Sequence, residues 1–167
     1  RGEAATALAH DQRLAAADSI DTAEWEIRLL WERVLRRLDL TAKTLLAVIE
    51  PGSCFVGFLA ELSVAADRSY MLDGRFEDDD EPLPPAQLQL SSLNLNQMLM
   101  SNGIDRLTSR FWGDDDARLR AASAVGRPLD AADAAALGLI TSAPDDLDRH
   151  DEIRLAIEER ASYSPDA

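Results

Sequence analysis

Apolar residues recur along the chain with two rhythms, and the change of rhythm predicts most of its elements. Ile27, Leu30, Trp31, Val34, Leu35 and Leu38 fall at i, i+3, i+4, i+7, i+8 and i+11. That spacing is one broad helical stripe, with Arg28, Glu32, Arg36 and Arg37 turned away. Asp21 and Glu24, three apart just ahead of it, predict a capping box with Asp21 as the cap. "TLLAVIE" (Thr44–Glu50) is instead a continuous apolar run, which predicts a strand covered on both faces and ended by Pro51-Gly52. From about Gly57 to Ala66 a helix is expected, because Leu59, Leu62, Val64 and Ala65 with Glu61 leave no clean polar face. "SYML" (Ser69–Leu72) reads as a second short strand.

The alanine-rich first twenty residues are expected to be helical. Asp73 to Pro85 carries charges, Gly74 and three prolines, which forbid a regular element. "AQLQLSSL" predicts another short strand and "SNG" (Ser101–Gly103) a turn. Helices are expected near Asn102–Phe111 and Asp114–Ala122, the second opening on an acidic triplet suited to a helix N-terminus. Asp130 and Asp133 frame a short helix ending at Gly138, and "LGLIT" runs into a strand. From Asp145 an amphipathic helix is expected with Leu147, Ile153 and Ile157 inward. The succession of helix, buried strand, turn, buried helix and strand is α/β in character.

With 167 residues, 46% of them hydrophobic, the chain suits one domain with a real core. Its net charge of −14 argues against nucleic acid or an anionic membrane as a partner. One cysteine, Cys54, excludes an internal disulfide and a cysteine-based zinc cluster, and fits a reducing compartment such as the cytoplasm. No apolar run approaches the ~20 residues that span a bilayer. The chain opens on Arg1 and stops in "SYSPDA", so it is expected to be a piece of a longer polypeptide.

Glu61 is the first candidate for chemistry. A carboxylate among apolar side chains resists ionisation, which moves its pKa toward the range of a general acid or base. The competing interpretation is a structural glutamate, exposed on the helix flank or satisfied by an arginine such as Arg68. Cys54 lies between a strand and a helix, where a thiol can be activated. His10 and His150 are both remote from it in sequence, so a buried inert thiol is the stronger expectation. Ser53 lacks the spacing of a nucleophile elbow. The acidic runs Glu77–Glu81 and Asp114–Asp116 lack the alternating ligands and glycine of a calcium loop, so no metal site is expected. Asn94 and Asn96 with Met98 and Met100 suit either a ligand cleft or core filling. Gly52 and Gly57 alone meet neither nucleotide-binding fingerprint.

The stretch "AVIEPGSCFVGFLAELSVAADRSYML" resembles the segment of the crotonase (enoyl-CoA hydratase/isomerase) superfamily that runs from a sheet strand through an oxyanion loop into a buried helix. Ala47-Val48, Gly57, Glu61-Leu62, Ala65-Ala66-Asp67 and Tyr70-Met71 occupy the family's places. "GRPLDAADAAALGLI" (Gly126–Ile140) resembles its downstream signature. The resemblance implies a crotonase-like spiral ββα unit with C-terminal helices, filling residues 1–167 as a single domain. "IEPGSCFVGFLAEL" and "SNGIDRLTSRFWG" are closer to the second half of a ring-cleaving branch whose chains carry two such units.

That likeness implies a carbon–carbon lyase that opens 2,3-epoxybenzoyl-CoA with water, giving 3,4-dehydroadipyl-CoA semialdehyde and formate. Coenzyme A would enter only as part of the substrate, with no metal or redox cofactor. The implied partners are the acyl-CoA, the other crotonase-like half, and further copies of the chain in a homo-oligomer. By resemblance Glu61 is the catalytic position, and Gly57 and Phe58 are the oxyanion or substrate-binding positions. The chain departs from the pattern where the family has successive glycines, holding Gly57, Phe58 and Leu59 there. Phe58 and Leu59 are expected to crowd a thioester oxygen, which makes this half a scaffold and oligomer contact. A non-catalytic interaction domain and a plain enoyl-CoA hydratase or isomerase are the alternatives.

Overall fold

Two short parallel strand pairs, each flanked by helices, organise the chain. The computed structural model describes residues 2–17, 22–76 and 83–163. In chain order these form α1 (Ala4–Ala15), α2 (Ala23–Asp39), β1 (Leu46–Ile49), β2 (Phe55–Val56), α3 (Ala60–Ala65) and β3 (Arg68–Met71). They continue with β4 (Leu88–Gln89), α4 (Arg106–Arg110), α5 (Asp115–Ser123), α6 (Ala131–Ala136) and α7 (Asp146–Ala161). β1 pairs in parallel with β3, Val48 opposite Tyr70, and β2 pairs in parallel with β4, Phe55 opposite Leu88. The expected strand at "LGLIT" is reduced to one bridge, Tyr70 to Ser142.

Two apolar clusters hold these pieces. The larger gathers Ile49, Met71, Leu88, Leu90, Leu107, Leu129 and Leu139 with Ala60 and Val64 of α3. The smaller joins Leu14 of α1 and Leu35 of α2 to Phe58, Leu93 and Met98. α3 therefore sits between them, with Ala60 and Val64 on one side and Leu59 and Leu62 packed against the other.

Several faces differ from the sequence expectation. Thr22 caps α2, its side chain accepting from Trp25 N–H; Asp21 lies outside the described residues. Of the α2 stripe, Leu35 is buried while Ile27, Leu30 and Val34 are exposed. The helix is rotated so that its Arg28–Glu32–Arg36 flank also turns inward, and Arg36 Nε donates to the Leu99 carbonyl at 2.9 Å. Burying a helix edge costs less where a guanidinium finds a carbonyl, as Arg36 does; Arg28 Nε, 3.8 Å from Glu32, is buried without a hydrogen-bond partner. β1 is covered on one face, with Ala47 and Ile49 buried and Leu46 and Val48 half-buried. α7 packs through Ala156, leaving Leu147, Leu155 and Ile157 exposed. Among the described residues, no helix is long and apolar enough to cross a membrane.

Candidate functional site

Gly57 makes the turn that aims the site. Its φ of +59° suits a residue without a Cβ, and it swings the chain from β2 into a 3₁₀ turn (Gly57–Leu59) that runs into α3. Because α3 lies between the two apolar clusters, Glu61 in its first turn has no route to solvent and is 1% exposed.

Glu61 is met by two donors. Asn94 Nδ2 donates to Oε1 and Arg106 Nη1 donates to Oε2, each at 2.7 Å. Asn94 also donates to the Gly57 carbonyl at 3.2 Å, tying the glutamate to its own loop. Arg106 is held from the other side by Asp39, the last residue of α2, through a two-pronged contact of Nε to Oδ1 at 2.8 Å and Nη2 to Oδ2 at 2.6 Å. Its Nη1 also donates to the Met98 carbonyl at 2.9 Å. One cation therefore joins α2, α3 and α4 through two buried carboxylates.

Burial acts on the protonation first, and charge adds to it. With Glu61 ionised, Arg106 faces two carboxylates in a desolvated place and the buried Asp105 adds a further negative charge nearby; protonating Glu61 relieves part of that excess. Burial pushes the Glu61 carboxyl up to about 7, against the opposing pull of Asn94 and Arg106. Desolvation disfavours the Arg106 charge, yet Asp39 and Glu61 together hold its pKa above the usual value.

A carboxyl whose folded pKa exceeds its unfolded one binds an extra proton on folding. Its contribution is present at low pH and is lost as pH rises from the ordinary glutamate value of 4.5 through about 7. The chain is expected to show a lower urea midpoint at pH 8 than at pH 5.5. Glu61→Gln should remove at least half of that difference, and an unchanged difference in the variant would show that Glu61 is not the titrating group.

The Phe58 N–H, the second position singled out in the sequence, is occupied. It donates at 2.6 Å to Asp11 Oδ1, a carboxylate carried by α1, and the Ser91 hydroxyl donates to the same oxygen at 3.0 Å. Asp11 is 2% exposed. Burial raises its pKa, partly offset by the bonds from Ser91 and Phe58. The Phe58 side chain points into the smaller core, edge-on to His10 at 5.7 Å and against Trp31 at 4.7 Å. What closes the amide is thus a carboxylate, where the bulk of Phe58 and Leu59 was expected to do so.

The remaining candidates separate. Arg68 pairs with Glu159 and does not reach Glu61 as its partner. The Cys54 thiol is pushed up in pKa by burial. His150 stands on the wall of a groove between β1 and α7. Asp114 caps α5, accepting from Ala117 N–H at 2.9 Å, whereas Glu77–Glu81 lies outside the described residues. Asn94 and Met98 are buried, while Asn96 sits exposed in a turn with φ of +56°. Among the described residues, no three His, Cys, Asp or Glu side chains gather as a metal-binding group. A cleft of about 240 Å³ opens onto Asp39 and Arg106, with Met100 and Arg110 on its walls, and Glu61 does not line it.

Sequence reasoning missed Asp11, Asp39 and Arg106. Two of them carried a signal. Asp11 falls three residues from both Leu8 and Leu14, on the apolar face of α1, and Asp39 lies one turn beyond the buried Leu35. Arg106 gave none.

Benzoyl-CoA-dihydrodiol lyase from Aromatoleum evansii is 44% identical to the chain over 135 residues, which are 81% of this chain and 23% of that protein. The two are related over this stretch, and the chain spans less than a quarter of the curated relative's length. No protein-family profile matches the chain.

Proposed function

We propose that this chain is part of a lyase, as the relative is by name, and that the whole is a carbon–carbon lyase opening the ring of 2,3-epoxybenzoyl-CoA with water to 3,4-dehydroadipyl-CoA semialdehyde and formate. Within it, this segment is a crotonase-like scaffold, and the reacting centre belongs to another unit. β1, the Gly57 turn, α3 and the return to β3 form its ββα module. Such an enzyme needs preorganised N–H donors for the thioester oxygen and a carboxylate free to exchange protons with water. It would use no metal or redox cofactor, work in the cytoplasm, and assemble through apolar faces such as Ile27, Leu30 and Val34 of α2.

The observation that carries the scaffold assignment is the occupancy of the expected oxyanion donor: the Phe58 N–H is bonded to Asp11 at 2.6 Å. Glu61 points the same way, since both its oxygens are bonded to Arg106 and Asn94. A proton acceptor closed in on both sides cannot reach substrate water without breaking the network that holds three helices. In the complete lyase, Glu61→Gln is expected to lower turnover less than tenfold. Calorimetric titration of this chain with benzoyl-CoA should give no binding heat at millimolar ligand. A thousandfold loss of turnover, or saturable heat, would place the chemistry here instead.

A further inference from the structure

Asp11 is bound the way a ligand is bound. Its Oδ1 takes the Phe58 N–H at 2.6 Å and the Ser91 hydroxyl at 3.0 Å, two donors from segments far from α1 in sequence. Gly57 leaves room for it, because a Cβ there would lie 2.6–2.9 Å from the Asp11 side-chain atoms. Ser91 is fixed in turn, its N–H donating to Asn94 Oδ1 at 2.7 Å, and Asn94 is buried. The donors are therefore positioned by the loop and by the segment after β4, and the carboxylate is delivered to them by a helix. A groove of about 470 Å³ runs beside this contact, between α1 and the residues after β4, with Leu8, Asp11, Gln12, Ser91 and Val125 on its walls.

The geometry points to a built carboxylate-binding cradle, formed by the Phe58 N–H, the Ser91 hydroxyl and the Cβ-free side of Gly57, and filled from within by Asp11 as a tethered ligand. With the Asp11 carboxylate removed, the cradle takes a small free carboxylate that arrives through the adjoining groove. One short hydrogen bond and one longer one hold a single carboxylate oxygen in a desolvated place, and the space left by the planar Asp11 carboxyl fits a free carboxylate better than a spherical chloride. Its consequence is structural as well: α1 is latched to the turn that precedes α3 by a charge-assisted hydrogen bond rather than by apolar packing alone. This inference stands on the geometry of α1 and the Gly57 turn and does not depend on the lyase assignment.

The test is rescue of Asp11→Ala by sodium acetate, against sodium chloride at equal ionic strength. In the variant, acetate should raise the melting midpoint by about 3 °C or more over chloride, as expected for a ligand well above its dissociation constant. It should also move the Phe58 amide proton saturably downfield, back toward its wild-type position. Wild-type protein, its cradle already filled, should show neither response. Equal responses to acetate and chloride in the variant would overturn the inference. If Asp11→Ala does not fold, Asp11→Asn decides: its neutral oxygen should shift the Phe58 amide upfield of wild type. An unchanged Phe58 resonance in Asp11→Asn would refute recognition of an anion.

Discussion

Replacing Arg106 by methionine is expected to cost the chain about 3–5 kcal/mol of stability, the usual penalty for breaking a buried ion pair from one side. Methionine fills much of the volume, so the loss is electrostatic. Asp39 and Glu61 would remain in a desolvated place with no cation between them, and the Met98 carbonyl would lose its donor. Arg106→Lys should recover less than half of the loss. A single ammonium cannot span both Asp39 oxygens and also reach Glu61, which the planar guanidinium does through three nitrogens. A double-mutant cycle separates this from a packing defect. In the Arg106→Met background Glu61→Gln should cost less than it does in the wild type, because the bond it would break is already gone. An unfolding free energy in urea that stays within about 0.5 kcal/mol of wild type in Arg106→Met would mean that the network contributes nothing.

Gly57→Ala carries the second large effect, about 3 kcal/mol from two sources. A non-glycine residue held at φ of +59° is strained by about 1–2 kcal/mol. The added Cβ would also meet Asp11 at 2.6–2.9 Å, so the carboxylate must leave and the Phe58 N–H loses a charge-assisted bond. That bond adds about 1.5 kcal/mol or more. The two sources can be told apart: with Asp11 already replaced by alanine, Gly57→Ala should cost the strain and the remaining contact with the Cβ of residue 11 at 2.9 Å, but no longer the charge-assisted bond. Additive losses in the double variant would show that the carboxylate and the turn are not coupled.

How much of this was legible in advance depends on the range of the interaction concerned. The extents of α2, β1, α3 and β3 and the capped starts at Asp114 and Asp130 follow from residues within one or two turns of each other. Periodicity, turn chemistry and capping act at that range, so the chain itself displays them. The apolar company of Glu61 was legible for the same reason, but an exposed place on the helix flank fitted the same neighbours, and only the structure shows it 1% exposed. The faces of α2 and α7 were not legible. An apolar stripe shows that a helix can be buried on that side but not which other element covers it, and here Ile27, Leu30, Leu147 and Ile157 remain exposed.

The chain alone thus determined that a carboxylate would stand among apolar residues beside a glycine turn, because both features are written in a dozen consecutive residues. Only the tertiary structure decided what meets them. Arg106 stands 45 residues from Glu61 and Asp11 stands 47 from Phe58, so their pairing depends on how α1, α3 and α4 pack. A buried charge is costly until a partner arrives, and sequence spacing carries no record of a partner brought by the fold. That arrival makes Glu61 a strut between helices and the Phe58 amide an occupied cradle.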